Sequence, residues 1–364
     1  MNICLIGNGI VTLILATILA NRNIKVSIFE EAQAKKKLET RTLGVSKSSC
    51  DYLKQEKIDI KKKSWPINKI KICSEKENNR EILNFESEKD NYFMIIKYRE
   101  LINILNRHVN KSKFIKKKKI RDESFFNSVL NGKNNYDLII NFNGKNKISK
   151  KIFFRRYEKN YQSSAFTTII NHKKIDNNMA CQIFTKLGPL AFLPCSKNQT
   201  SVVFSILNQN KNFTEQKIKE QILTYNKKYK IKSFSKFESF KLKSSILKNY
   251  YHKKILCFGD NLHKIHPLAG QGFNMTIRDI KVLIDLIDFK INLGLQVDSS
   301  ISKEFQNKTK HYNYIFSGAI DFIHDFFKFD NNLDNNYSIK LFNFLEKNNL
   351  FKKYTKKFAD KGIF

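Results

Sequence analysis

The chain has 364 residues, enough for about two domains with an ample core, and its 41% hydrophobic content with 31 Phe excludes a disordered polymer. A formal charge of +34, from 67 Lys and Arg against 33 Asp and Glu, suits nucleic acid, anionic lipid or anionic small molecules. The lysines are dispersed among Asn and Ile, so they read first as a solvated face, and six cysteines (Cys4, Cys50, Cys73, Cys181, Cys195, Cys257) without a CxxC pair speak against zinc and for a reducing setting.

The chain opens on ICLIGNGIVTLILATILA, apolar enough to suggest a leader peptide or a membrane span. A leader would carry Lys or Arg before the apolar run, and residues 1–9 have none. A spanning helix of about 20 residues would not place Gly-Asn-Gly near its middle. The pattern reads instead as a strand over 2–6, a turn at Gly7-Asn8-Gly9, a buried helix over 10–21 and a second strand over 25–31. Such glycines let backbone N–H groups approach a pyrophosphate at the helix N-terminus. Glu30, ending the second strand, can accept hydrogen bonds from a ribose. Thr12 stands where the G-x-G-x-x-G fingerprint has its third Gly.

Residues 66–96 alternate polar and apolar, as a strand-rich insertion does. Residues 98–109 form an amphipathic helix with Leu101, Ile104, Leu105 and Val109 on one face. YDLIINFNG (136–144) is a buried strand running into a turn, and 160–245 reads as mostly alternating strands. KILCFGD (254–260) is one more buried strand. Ile277, Ile280, Ile284, Ile287 and Ile291 then mark a helix packed on the core, and 302–329 and 338–359 are also expected to be helical.

Between that strand and that helix lies the loop that opens the helix, the opening loop GDNLHKIHPLAGQGFNM, residues 259–275. Glycine is scarce, 12 in the chain, yet Gly259, Gly270 and Gly272 fall together here. A strand ending in Gly-Asp, then a Gly-rich loop, then a helix places one carboxylate and several free N–H groups at a helix N-terminus. The carboxylate can accept from polyol hydroxyls and the N–H groups can stabilise negative charge. A reduced flavin, anionic along one ring edge, suits that combination.

These residues resemble the signature of the ubiquinone-biosynthesis hydroxylases, a family of FAD-dependent aromatic monooxygenases with a p-hydroxybenzoate hydroxylase-like fold. The likeness continues in the GxG unit with Glu30, in Arg41 followed by LGVS, in WPINKIKICSE, in YDLIINFNG, in FTKLGPLAFLPC and in FSGAIDFIHDFFKFDN. It implies an α/β (α+β overall) fold: a Rossmann-like FAD-binding domain with an inserted, mainly β substrate domain and C-terminal helices. The expected division is 1–66, 97–158 and 249–330 for the FAD domain, 67–96 and 159–248 for the substrate domain, and 331–364 for a C-terminal helical segment. By the same resemblance Gly7, Gly9 and Glu30 hold the ADP half of FAD, Arg41 contacts its ribose or pyrophosphate, and Asp260 binds the ribityl chain. Pro267 and the backbone of Gly270, Gln271, Gly272, Phe273 and Asn274 line the isoalloxazine ring, with no side-chain acid or base assigned. NAD(P)H serves as transient reductant, and O2 then gives a C4a-hydroperoxyflavin that hydroxylates an aromatic ring. The implied substrate is a prenylated phenol or quinone precursor. The implied setting is cytoplasmic, peripheral on the inner face of the membrane, beside an anionic surface and other ubiquinone-biosynthesis proteins.

Two positions depart from the family pattern. Thr12 puts a β-carbon where helix and strand approach closely, and Asn143 replaces the Asp of the second FAD motif, losing a carboxylate expected to help hold the cofactor. They leave open a second reading, a degenerate flavoprotein-like module that binds a lipid or partner without catalysis. His263 and His266 form H-x-x-H but lack a third ligand, so no metal is expected. The KKKK run at 116–119 has no interleaved aromatic and reads as a solvated face rather than a nucleic-acid site. Ser46, Ser48 and Ser49 lie in no nucleophile elbow.

Overall fold

The computed structural model describes residues 1–31, 40–75, 80–86, 91–207, 213–267, 270–332 and 360. Its first sheet has six strands in the order Tyr251–His252, Ile255–Cys257, Leu138–Asn141, Asn2–Ile6, Lys25–Glu30 and Ile115–Lys119. All neighbours are parallel except the outermost hairpin of Tyr251–His252 with Ile255–Cys257. Leu5 lies between Ile28 and Ile140, and Ile140 faces Leu256 on its other side. A parallel strand covered on both faces reads as a continuous apolar run, which explains ICLI and LII.

The helix Ile10–Ala20 follows the first strand and is buried on nearly every side, against the sheet and the helices Tyr98–Lys111 and Gln271–Asn292. That burial accounts for the apolar N-terminal run without a bilayer. Among the described residues no helix is long and apolar enough to cross a membrane. The lysine run proves to be the edge strand Ile115–Lys119, its lysines exposed and Lys118 Nζ 5.5 Å from the Phe29 ring centroid. Charged side chains on an edge discourage pairing with another chain.

The second sheet has nine strands. Its main path runs His263–Lys264, Glu238–Leu247, Arg156–His172, Gln199–Leu207, Gly188–Ser196, Met179–Thr185, Lys69–Ser74 and Arg80–Glu86, with Ile231–Phe234 also pairing Arg156–His172. One element escapes the alternation seen in the sequence. Glu215–Tyr225 is a helix, N-capped by Thr214 and seated through Ile218 and Ile222 on a core with Phe204, Tyr229 and Phe237. A third, small sheet joins Thr42–Ser46, Phe93–Lys97 and Ser64–Ile67. The helix Ser300–Asn332 is the last element whose bounds are described. Of the expected C-terminal helical segment 331–364, residues 333–359 and 361–364 lie outside the described residues.

Candidate active site

Strand Asn2–Ile6 delivers Gly7-Asn8-Gly9 to the start of helix Ile10–Ala20. Gly7 has φ +137°, open to glycine alone, and a β-carbon there would lie 3.1 Å from Phe142 Cβ. Gly9 occupies the N-cap with no side-chain cap, the first helical turn carries no acid, and a β-carbon on Gly9 would meet nothing within 4 Å. The first-turn amides therefore face open space with the positive end of the helix dipole behind them, the arrangement that binds phosphate. Thr12 lies within that first turn. It is 1% exposed, its Oγ1 has no hydrogen-bond partner among the described residues, and it borders the same cavity. A buried orphan hydroxyl is costly unless a ligand supplies its partner, so Thr12 fits a phosphate-bearing cofactor better than its departure from the fingerprint suggests.

Glu30 closes the second strand in register with Lys119 and is not among the cavity-lining residues. Its neighbour Glu31 is, and it accepts from Asn143 Nδ2 at 2.8 Å. Successive side chains leave a strand on opposite faces, so in the Glu30-Glu31 doublet only one can look into the cavity. Glu31 is not singled out by the strand-end rule that points to Glu30, and the Glu30-Glu31 doublet is the signal that could find it. Asn143 is thus held by an acid, a contact that the family's Asp could not make. The 141–149 turn is tied to the opening loop by an amide network: Asn261 Nδ2 donates to the Asn141 carbonyl at 3.0 Å, and Asn141 Nδ2 donates to Ser149 Oγ at 2.8 Å.

In the opening loop Gly259 has φ +62° and Asp260 is exposed at the cavity wall. His263 is hydrogen-bonded through Nε2 to buried Asp279, whose other oxygen accepts from Asn313 Nδ2 at 3.2 Å. His266 points elsewhere, packing against the rings of Tyr161 and His324, so the two histidines of H-x-x-H do not converge. Gly270, at φ +64°, caps the helix Gln271–Asn292, and a β-carbon on it would lie 3.6 Å from the Gly44 backbone. Pro267, Gly270, Gln271, Gly272 and Phe273 all line the cavity. Asn274 does not: it is buried behind the loop, where Oδ1 accepts from Ser46 N at 2.9 Å and Nδ2 donates to the Gly44 carbonyl at 3.0 Å. It braces the loop against the strand Thr42–Ser46.

Arg41 also borders the cavity, its guanidinium 5.4 Å from the Tyr98 ring centroid. Burial raises the Tyr98 hydroxyl pKa, with Arg41 opposing and Asp260 reinforcing the shift. One cavity of about 940 Å³ joins Thr12, Glu31, Arg41, Asn143, Asp260 and His266 to an apolar chamber. The chamber wall comes from the second and third sheets, among them Ile70, Phe93, Phe184, Leu193 and Val203, with Ile320 from the helix Ser300–Asn332.

Residues 148–289, which include the opening loop, match the family model of the FAD binding domain. Superposition on solved structures covers nearly the whole chain. A complex of PqsL from P. aeruginosa with 2-aminobenzoylacetate gives a TM-score of 0.73 at 13% identity, covering 94% of this chain and 99% of that one. The p-nitrophenol 4-monooxygenase PnpA from Pseudomonas putida gives 0.75 at 10% identity, covering 99% and 97%. This is the fold of the FAD-dependent monooxygenases. The α/β architecture implied by the sequence resemblance is therefore the observed one, and FAD is the cofactor of the matched domain. In sequence, the chain is similar to the ubiquinone biosynthesis monooxygenase COQ6 of Schizosaccharomyces pombe, 31% identical over 94 residues, 26% of this chain and 20% of that protein. It is 27% identical over 179 residues to the 3-demethoxyubiquinol 3-hydroxylase of Escherichia coli, 48% of this chain and 45% of that enzyme. The chain spans less than half the length of these curated relatives.

Proposed function

We propose that the protein is an FAD-dependent monooxygenase that hydroxylates the aromatic ring of a prenylated phenol or quinone precursor in ubiquinone biosynthesis. The observation that carries this reading is one continuous cavity lined by Gly7, Gly9, Thr12, Glu31, Arg41 and Asp260 as well as by the apolar chamber wall. The free amides of the first turn of Ile10–Ala20 and the Thr12 hydroxyl would hold the phosphates, with Gly7 and Gly9 giving clearance. Glu31, one residue beyond the expected Glu30, and Asp260 would accept from ribose and ribityl hydroxyls, and Arg41 would pair with the anionic middle. Pro267 and Gly270 to Phe273 would lie along the ring system, where the amides opening Gln271–Asn292 favour negative charge. Bound FAD would supply the redox chemistry, taking reducing equivalents from NAD(P)H so that one oxygen atom of O2 could be transferred to the substrate ring. The apolar chamber orients the substrate and keeps water out.

The proposed cofactor domain gathers 1–66, 97–158 and 249–330, with 67–96 and 159–248 as the substrate domain. Pairing of Asn2–Ile6 and Ile255–Cys257 with the same strand, Leu138–Asn141, supports the discontinuous division. The lysine-rich surface suits a peripheral seat on an anionic membrane at about 1 kcal/mol per well-placed charge, where a membrane-soluble substrate and other proteins of the pathway would be met. Flotation with anionic vesicles at low and high salt tests that seat, and absence of binding at low salt rejects it. The enzymatic reading is tested by titrating the apoprotein with FAD and then measuring NAD(P)H oxidation with prenylated phenols. A folded protein with no saturable FAD binding would hand the case to a non-catalytic module.

A further inference from the structure

His266 differs from the other histidines of the opening loop and its surroundings. It is 1% exposed, it borders the cavity beside Pro267, and neither ring nitrogen has a hydrogen-bond partner among the described residues. Its ring is gripped by stacking rather than by polar contacts. Tyr161 meets it edge-on and His324 at a tilt, each with centroids 4.6 Å away. Both neighbours are committed elsewhere. The Tyr161 hydroxyl donates to Asp321, and His324 Nδ1 is 3.1 Å from Asp325 Oδ1, with Lys159 paired to the same carboxylate group. Burial, His324 and Lys159 hold the His266 pKa down to about 3, against the pull of Asp325. The ring is therefore neutral at physiological pH and carries one N–H donor and one lone-pair acceptor.

A buried polar side chain with both valences unmet calls for a partner. Leu242, Ala319, Ile320 and Ile323, which line the same cavity, are apolar and offer none. Lys243 and Lys264 also reach the cavity wall but are themselves exposed to water. We propose that His266 is the anchor for the hydroxyl group of the aromatic substrate, so that the chamber selects neutral phenols over their ethers and over carboxylated aromatics. The phenolic O–H donates to the free lone pair of the imidazole. An ether offers no donor, and a carboxylate would have to leave water for a neutral ring among apolar walls. The inference rests on the reading of this cavity as an aromatic hydroxylase site.

The test uses the full chain, with and without FAD, and three probes of equal reach: para-hexylphenol, its methyl ether and para-hexylbenzoate. Calorimetric titration of the wild type is expected to give the phenol about ten-fold tighter than the ether, with the benzoate weaker still. His266→Phe is expected to bring phenol and ether together by weakening the phenol alone. His266→Gln, which keeps a donor and an acceptor, should restore part of the gap, and His266→Leu replaces the Phe variant if that does not fold. An undiminished phenol preference in His266→Phe, a benzoate that binds wild type as well as the phenol, or no phenol binding at all would each overturn the proposal. FAD titration of the same samples separates the two readings: lost FAD binding counts against the cofactor assignment, whereas the phenol–ether gap in FAD-free protein still reports on His266.

Discussion

Asn143→Asp would supply the carboxylate that the sequence resemblance implies for the second FAD motif, and from sequence alone it should tighten cofactor binding. The geometry around Asn143 reverses that expectation. Its amide donates to Glu31 Oε1 at 2.8 Å, and both side chains are half-buried. Aspartate would face one carboxylate with another. At about 4 Å and an effective dielectric of about 20 the repulsion is about 4 kcal/mol, and half-burial with splaying of the side chains cuts it to about 2 kcal/mol. Loss of a hydrogen bond to a charged acceptor adds about 1.5 kcal/mol. Urea unfolding at about pH 7.5 should therefore place the variant about 3.5 kcal/mol below wild type, and FAD should bind roughly thirty-fold more weakly through the displaced Glu31. Repulsion raises the folded-state pKa of the acid pair, so the destabilisation is present above that raised value and fades as pH falls through it. The gap between variant and wild type should narrow towards about pH 4.5, where carboxylates begin to protonate. Glu31→Gln added to Asn143→Asp should recover most of the stability in a double-mutant cycle. An Asn143→Asp protein that is as stable as wild type and binds FAD more tightly would refute the reasoning.

Asp260→Ala removes an exposed acid at the cavity wall; unfolding should be unchanged while FAD binds ten- to a hundred-fold more weakly by fluorescence titration, roughly the 1.5–3 kcal/mol of a charged hydrogen bond. Asp279→Ala strips buried His263 and Asn313 of their acceptor and should lower stability by about 3–5 kcal/mol, measured by denaturant unfolding. Gly188→Ala forces a residue at φ +133° to carry a β-carbon into the Ser205 carbonyl, so the second sheet must shift and soluble yield and melting temperature should both fall. Thr12→Val keeps the shape and deletes the orphan hydroxyl; stability should hold or rise, with FAD affinity reduced about ten-fold if that hydroxyl meets a phosphate.

The dinucleotide-type unit and the opening loop were legible because each is local: strand, turn and helix start lie within a dozen residues, and the turns demand glycine for reasons of φ. What escaped was decided across the chain. Nothing near Glu31 in sequence says that its partner is Asn143, and nothing in GQGFN marks Asn274 as a brace turned away from the cavity towards Ser46. The small sheet of Thr42–Ser46, Ser64–Ile67 and Phe93–Lys97 joins three separate stretches, so alternation announced strands without announcing their partners. Glu215–Tyr225 was hidden for another reason. Only Ile218 and Ile222 of that helix are buried, too faint a stripe to stand out from the strands around it.

The strand order of the first sheet also sets a timetable for synthesis. Leu138–Asn141 can pair with Asn2–Ile6 as soon as both have left the ribosome, but its other edge waits for Ile255–Cys257, more than a hundred residues later. At ordinary elongation rates that wait is on the order of ten seconds. Through it a nascent chain presents Leu-Ile-Ile as an open, apolar edge while the intervening sheet takes shape. Holdase chaperones, slower growth temperatures or a pause before residue 255 should therefore govern how much of the protein reaches its native state in a recombinant host.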